Sequence, residues 1–217
     1  MMVKIENRYR GQRCFILGNG PSLNYVDLSK LKDEITVGCN RIYIKNLGFP
    51  LTCYFAIDRK FNEYARDEIQ AYLRSDADSP RTFFVKGQYE GRYEHPEKVT
   101  VSLNYVSVGE AMLDTAIDMG CRPIYLIGID MDYSGLNENI DIYGEEATLK
   151  VPDRWHFDSR YWTGKFYYRD TQVGVAYDRF KDKVEQMRNK KEILVFNASG
   201  NGLLDYIPTV NYEDLFI

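Results

Sequence analysis

The fold is decided by residues 14–22, Cys14-Phe15-Ile16-Leu17-Gly18-Asn19-Gly20-Pro21-Ser22, where a continuous apolar run ends in a glycine-rich turn. Such a run is typical of a strand buried on both faces of a sheet. The glycines permit positive φ and close approach of a ligand to the backbone. Free amides of this turn, with Asn19 and Ser22 as donors, suit a nucleotide phosphate or sugar, although an ordinary tight strand-to-helix turn fits equally well.

Further runs of the same type alternate with helical patterns along the chain. The predicted strands are Cys14–Leu17, Ile35–Cys39, Cys53–Ile57, Thr82–Val85, Ile124–Ile129 and Ile193–Phe196, and the predicted helices are Phe61–Arg74, Val108–Met119 and Val173–Asn189. This alternation predicts a single α/β domain over residues 1–217, with a Rossmann-like, doubly wound and mostly parallel sheet. In such a sheet the ligand binds beyond the carboxyl ends of the strands.

One segment, residues 134–168, interrupts this alternation because it shows no sustained periodicity. Its aromatic residues are Tyr143, Trp155, Phe157, Tyr161, Trp162, Phe166, Tyr167 and Tyr168. A stretch this long without periodicity in a compact domain is usually a functional lid or a disordered insert, and disordered segments are poor in aromatics. We therefore interpret residues 134–168 as an aromatic-rich lid.

The composition excludes several classes of protein. The 217 residues are 44% hydrophobic and 28% charged, with a formal net charge of -4, which argues against disorder and gives no reason to expect a nucleic-acid partner. No apolar run is long enough to cross a membrane, and the N-terminus lacks the apolar core of a signal peptide. The four cysteines and two histidines have no zinc-type spacing, so we expect buried free thiols in a reducing cytoplasm.

Polar residues follow several of the predicted strands. They lie in Cys39-Asn40-Arg41, in Ile57-Asp58-Arg59 and in Gly128-Ile129-Asp130-Met131-Asp132-Tyr133. Parallel strands would bring these exits to one rim of the sheet. Asp130 and Asp132 could share a divalent ion, since side chains at i and i+2 of a strand point to one face. We favour the alternative, in which Asp130 orders the loop backbone and Asp132 is solvated.

His156 is the candidate general base. It is one of two histidines in the chain and lies in the lid between aromatic residues, with Asp158 close in sequence. An imidazole titrates near neutral pH, which suits the deprotonation of a hydroxyl group. A surface histidine packed on aromatic rings fits the same spacing.

These motifs resemble those of the bacterial sialyltransferases of glycosyltransferase family forty-two. The resemblance spans about residues 12 to 210, and the related Maf-type flagellin glycosyltransferases and archaeal hydroxymethylpterin diphosphokinases share part of the pattern. The matching stretches are Gly18-Asn19-Gly20-Pro21-Ser22-Leu23, Cys39-Asn40-Arg41-Ile42-Tyr43, Ser107-Val108-Gly109, Ile124-Tyr125-Leu126-Ile127-Gly128-Ile129-Asp130, Phe196-Asn197-Ala198-Ser199, Leu203-Leu204 and Ile207-Pro208.

The resemblance implies a lid that closes over a CMP-activated sugar. Enzymes of this family invert the anomeric carbon without a metal, so the resemblance implies no cofactor. His156 takes the role of the base, and Arg160 competes with it for the same position of the motif. The residues assigned to donor binding are Gly18, Asn19, Gly20, Ser22, Asn40, Asp58, Ser107, Gly109 and Asp130.

The chain departs from the family where the leaving phosphate would lie. The family has two lid tyrosines there, one just after the Gly-Ile-Asp motif, whereas this chain has Asp132 at the corresponding position. We assign Tyr133 and Tyr143 to this role instead. The arginine that precedes the Ser-Gly element in the family is absent here, where the chain has Asn104-Tyr105. A donor sugar other than sialic acid itself, such as another nonulosonate, is compatible with these changes.

The leading hypothesis is an inverting, metal-independent glycosyltransferase. It would move a sialic-acid-like sugar from a CMP donor to a glycan or lipid-linked oligosaccharide in the cytoplasm, and would serve the synthesis of a cell-surface polysaccharide. Peripheral contact with the inner face of the membrane and a homo-oligomer are both compatible with the sequence. One alternative is a magnesium-dependent diphosphokinase of the hydroxymethylpterin type, with Asp58, Asp130 and Asp132 as ligands. Another is a non-catalytic nucleotide-sugar-binding module.

Overall fold

A seven-stranded parallel sheet forms the centre of the protein. The computed structural model describes residues 5–101, 105, 107–144, 146–167, 170–189, 194–200 and 202–217. The strands of the sheet are β1 (Cys14–Leu17), β2 (Ile35–Cys39), β3 (Cys53–Ala56), β4 (Thr82–Lys86), β5 (Lys98–Val101), β6 (Ile124–Ile127) and β10 (Val195–Asn197). A second sheet contains β7 (Ile140–Tyr143), β8 (Glu146–Leu149) and β9 (Lys165–Tyr167).

The strand order fixes where a ligand can bind. The order is β10-β6-β1-β2-β3-β4-β5, and all neighbouring pairs are parallel. The chain winds outward from β1 to β5 and then returns to β6 on the other side of β1. The topological switch point therefore lies between β1 and β6, where such sheets bind ligands. The prediction of a Rossmann-like, doubly wound sheet is confirmed.

Both faces of the sheet are buried, as the continuous apolar runs predicted. Cys14 and Ile16 of β1 pack into one core, and Phe15 and Leu17 pack into the other. Helices α3 (Val108–Asp118) and α4 (Asp170–Asn189) supply residues to the first core, while α2 (Arg66–Leu73) and several short 3-10 helices supply the second. All four cysteines are free and buried.

Three elements differ from the prediction by more than small shifts of their ends. The helix predicted over Phe61–Arg74 is two helices, α1 (Arg59–Tyr64) and α2, because the backbone leaves the helical region at Ala65 with φ -107 and ψ 19. Strand β5 was not predicted, since its four residues lie at the sheet edge, where burial is incomplete. The strand predicted over Ile193–Phe196 corresponds to β10, which runs from Val195 to Asn197. Ile193 lies outside the described residues.

The lid segment contains structure of its own. Strands β7 (Ile140–Tyr143), β8 (Glu146–Leu149) and β9 (Lys165–Tyr167) form an antiparallel sheet in the order β7-β8-β9. The missing periodicity reflects strands of three or four residues, which are too short to show one. Tyr168, the last residue of the predicted lid, lies outside the described residues. The lid has a separate core made of Leu136, Ile140, Ala147, Trp155 and Phe166.

Across the parts of the chain that the structure describes, no helix combines the length and the apolar character needed to cross a bilayer.

Candidate active site

A cavity of about 580 Å³ lies between the carboxyl ends of the parallel strands and the lid. Its size is that of a small-molecule site. Residues that follow β1, β2, β3 and β6 form one side, and lid residues form the other. Most of the predicted site residues line it: Gly18, Asn19, Gly20, Asn40, Asp58, Ser107, Gly109, Asp130, Tyr133 and His156.

The glycines of the first turn are required by packing. A Cβ added at Gly18 would lie 2.2 Å from the carbonyl oxygen of Gly128, and one added at Gly20 would lie 2.4 Å from Oδ2 of Asp130. The backbone N–H of Gly20 donates to the Gly128 carbonyl at 2.7 Å, so the turns after β1 and β6 are locked together. Neither Gly18 nor Gly20 has a positive φ, so the turn does not use the left-handed backbone that glycine permits.

Asp130 is buried and holds the same turn by hydrogen bonds. Its Oδ2 accepts the backbone N–H of Ser22 at 2.9 Å, and its Oδ1 accepts the Ser22 hydroxyl. Ser22 is itself buried and does not line the cavity. The predicted contact between Ser22 and the donor is therefore not supported by its position, since its side chain hydrogen-bonds to Asp130.

The three carboxylates considered for magnesium each hold nearby backbone. Oδ1 of Asp58 accepts the N–H of Phe61 at 2.7 Å and so caps α1. Oδ1 of Asp132 accepts the N–H of Ser134 at 3.0 Å, and this hydrogen bond lowers the pKa of Asp132. Within the described ranges, no group of three Asp, Glu, His or Cys residues is arranged to hold a metal ion.

Asn19 and Asn40 carry buried acceptors without partners. The side-chain nitrogen of Asn19 donates to the carbonyl oxygen of Cys39 at 3.2 Å, whereas Oδ1 of Asn19 and Oδ1 of Asn40 have no hydrogen-bond partner. Asn40 also has a positive φ of 49°, which asparagine tolerates better than most residues. An unpaired buried acceptor costs about 1–3 kcal/mol, so these oxygens favour a ligand that brings hydroxyl or amino donors.

The N-terminus of α3 also meets the cavity. Ser107 caps this helix, because its Oγ accepts the N–H of Glu110 at 3.2 Å. A Cβ added at Gly109 would meet nothing closer than the Phe180 ring at 3.7 Å, so the fold itself has room for a side chain there. The amides at a helix N-terminus and the positive end of the helix dipole suit an anionic group.

His156 lies buried in the lid wall of the cavity. Its Nδ1 is 2.9 Å from Oδ2 of Asp153, and its ring stacks on Tyr161 with centroids 3.8 Å apart. Burial lowers the pKa of His156, and the hydrogen bond to Asp153 opposes that shift in part. The imidazole is therefore neutral at neutral pH, as a general base must be.

Asp158, the carboxylate noted close to His156 in sequence, is not the one that pairs with the histidine. Asp158 pairs with Arg160 at 2.7 Å, and the guanidinium lowers the pKa of Asp158 to about 2. Arg160 is exposed and does not line the cavity. Asp153 holds the histidine instead, and the only signal for it was the three-residue spacing to His156.

The two assigned tyrosines lie in different places. Tyr133 lines the cavity, and burial raises its pKa to about 12, so its phenol stays protonated and can donate a hydrogen bond. Tyr143 ends strand β7, is 57% exposed and does not line the cavity. The pairing of Tyr143 with a leaving phosphate is therefore not supported by its position.

Arg41 is a further cavity residue, although its motif suggested no role for it. Its guanidinium donates to the carbonyl oxygen of Tyr161 at 2.5 Å and to Glu68 at 3.0 Å, and its buried Nε has no partner. A second tie joins the N–H of Phe157 to the carbonyl oxygen of Asn19 at 2.9 Å. The lid is thus fastened to the turns that follow β1 and β2.

The fold and the cavity define the class: a Rossmann-like α/β protein with a small-molecule cavity at its switch point, closed by a lid. The chain matches no protein-family model and no curated protein. It does share its fold with solved sialyltransferases. CstII from Campylobacter jejuni in complex with cytidine-5'-monophosphate is 15% identical over 93% of this chain and 85% of that chain, with a TM-score of 0.56.

Two further structures give the same result. The monofunctional alpha-2,3-sialyltransferase Cst-I from Campylobacter jejuni is 16% identical over 92% of this chain and 80% of its own, with a TM-score of 0.59. CST-II in complex with a trisaccharide acceptor and CMP is 15% identical over 92% of this chain and 86% of that chain, with a TM-score of 0.57. At this level of identity the likeness is one of fold.

Proposed function

We propose that this protein is a glycosyltransferase that uses a CMP-activated sugar. The observation that carries the proposal is a neutral, buried histidine, His156, in the wall of a ligand-sized cavity at the switch point of the sheet. Support comes from the shared fold, since CstII and CST-II with that fold were solved with CMP bound. The free acceptors of Asn19 and Asn40 suit ribose hydroxyls or the cytosine amino group.

The reaction would be an inverting displacement without a metal. Nε2 of His156 would take the proton of the acceptor hydroxyl while that oxygen forms a bond to the anomeric carbon. The bond between the anomeric carbon and the phosphate oxygen would break, and CMP would leave with the electron pair. Tyr133 and the amides at Ser107 to Gly109 would stabilise the leaving phosphate by donating hydrogen bonds.

The acceptor in this proposal is a glycan or lipid-linked oligosaccharide, and the donor sugar is sialic acid or a related nonulosonate. A cytoplasmic location, peripheral membrane contact and a homo-oligomer belong to the same proposal. The diphosphokinase alternative is not favoured by any observation at the site. A binding module without activity would be excluded by any transfer product.

The test is to measure the release of CMP from CMP-sugar donors, with and without a glycan acceptor, for the native protein and for His156→Ala. We expect the variant to lose a factor on the order of 10²–10⁴ in kcat while CMP still binds. His95→Ala is the matched control, because His95 does not line the cavity. Unchanged turnover in His156→Ala would remove this histidine as the base.

A further inference from the structure

We propose that Asp153 is the positioning residue of this site. It holds His156 in the Nδ1–H tautomer, so that Nε2 is the unprotonated ring nitrogen available to the cavity. Its catalytic consequence rests on the proposed function, whereas the tautomer itself does not.

The hydrogen bonds around Asp153 assign the proton. Its side chain is fully buried. Oδ1 accepts the backbone N–H groups of Trp155 at 2.9 Å and His156 at 3.2 Å, and Oδ2 accepts the N–H of Trp162 at 3.1 Å. A carboxylate in its ionised form can only accept, so the ring nitrogen 2.9 Å from Oδ2 must be the donor. Nδ1 therefore carries the proton.

Packing also fixes the orientation of the imidazole ring that donates to Asp153. One face of the imidazole stacks on Tyr161, and the Trp162 ring meets it at 71° with centroids 4.3 Å apart. A flip of the ring would replace the Nδ1–H donor facing Asp153 with a C–H group. The buried carboxylate of Asp153 thus holds the backbone of the loop from Trp155 to Trp162. It also determines which ring nitrogen of His156 carries the proton.

The other histidine has the opposite arrangement. His95 Nε2 lies 2.8 Å from the carbonyl oxygen of Pro80, and Nδ1 lies 3.2 Å from the backbone N–H of Glu97, which can only donate. His95 is therefore the Nε2–H tautomer. The chain has only two histidines, so each ring can be followed separately.

The experiment is long-range 1H–15N correlation NMR on protein labelled at histidine nitrogen. The His156→Gln variant assigns the signals by removing one set. We expect the native protein to show Nδ1–H at His156 and Nε2–H at His95. Asp153→Asn presents an amide donor to the ring, so His156 should become the Nε2–H tautomer, as carboxylate loss next to a catalytic histidine is known to do. Asp158→Asn, the same change in the same loop, should leave both tautomers unchanged.

An Nε2–H signal at His156 in the native protein would overturn the inference, and this result does not depend on whether Asp153→Asn folds. Retention of Nδ1–H in a folded Asp153→Asn protein would overturn it as well. For catalysis we expect Asp153→Asn to lower kcat by a factor on the order of 10²–10⁴ with CMP affinity retained, and Asp158→Asn to stay within a few-fold of the native protein. Absence of turnover in every protein, the native one included, would count against the proposed function while the tautomer assignment stands.

Discussion

At the scale of single residues, the glycines around the cavity separate into two kinds. Gly109 has room for a methyl group, since the nearest contact of an added Cβ is an ordinary 3.7 Å. In Gly109→Ala we expect a Tm that is unchanged or raised, because alanine favours the helix by about 0.5–1 kcal/mol. We also expect weaker CMP binding, because the methyl group would occupy the space of the ligand. Calorimetry of unfolding and of CMP binding checks both effects.

Gly18→Ala is the matched contrast. Its Cβ would lie 2.2 Å from a backbone oxygen that cannot move aside, so this variant should lose stability outright. If Gly109→Ala binds CMP as tightly as the native protein, Gly109 is not a donor contact.

His156 should make stability depend on pH. Its pKa in the folded protein lies below the ordinary value of about 6.5, so the unfolded chain binds the proton more readily. The free energy of unfolding should therefore fall as the pH drops through about 6.5, and level off below the folded pKa. Urea titrations at about pH 7.5 and about pH 5.5 should show a smaller loss for His156→Gln than for the native protein. Equal losses in both proteins would contradict the lowered pKa.

Residue roles were the hardest part to predict from the sequence. Asn19 and Asn40 were singled out because they lie at the ends of predicted strands and match the asparagines of the family motifs. Asp153 was missed because its contact with His156 depends on the fold of a loop without periodicity, and Asp158 is as near in sequence. Gly18 and Gly20 were singled out for the backbone freedom and close ligand approach that glycine permits, whereas their contact with the turn after β6 leaves no mark on the sequence.

At the scale of elements, the lid is a small unit with its own core. The sequence indicated its limits through the loss of periodicity and its aromatic content. It could not indicate the β7-β8-β9 sheet, because strands this short are stabilised by their cross-strand and core contacts rather than by local pattern.

Phe166→Ala tests the independence of this core. Phe166 stacks on Trp162 with centroids 4.3 Å apart, and the truncation should cost about 3–5 kcal/mol. Because that loss falls on the lid, the lid should open before the parallel sheet melts. Both tryptophans of the chain are in the lid, so tryptophan emission should shift to the red at temperatures where far-UV circular dichroism is still native.

Phe83→Ala is the control for this experiment. Phe83 is buried in the core of the parallel sheet that contains Phe15 and Leu17. Its truncation should therefore lower the midpoint temperatures of the fluorescence and circular dichroism transitions together. Coincident transitions in Phe166→Ala would mean that the lid does not open independently of the parallel sheet.

At the scale of the whole molecule, the sheet was predictable because its signal is repeated in six runs along the chain. Strand–helix alternation predicted parallel pairing, and parallel pairing predicted the rim at which the cavity lies. The edge strand β5 has the weakest apolar pattern and was not predicted.

The charge around the cavity sets the last prediction. Among the described residues that line it, Arg41 is the one Lys or Arg side chain, against the carboxylates of Asp58, Asp130 and Asp132. Such a wall suits a nucleoside monophosphate better than a triphosphate, whose charge would need a metal ion. We expect CMP to raise the Tm without Mg²⁺, by the equivalent of about 2.7 kcal/mol at 100 times its Kd, and ATP to have no effect without Mg²⁺. Thermal-shift measurements with each nucleotide, with Mg²⁺ or with a chelator, check this. Stabilisation by ATP and Mg²⁺, with none by CMP, would favour the diphosphokinase over the glycosyltransferase. In that case the three carboxylates would bind a metal ion instead of the backbone groups that they hold here.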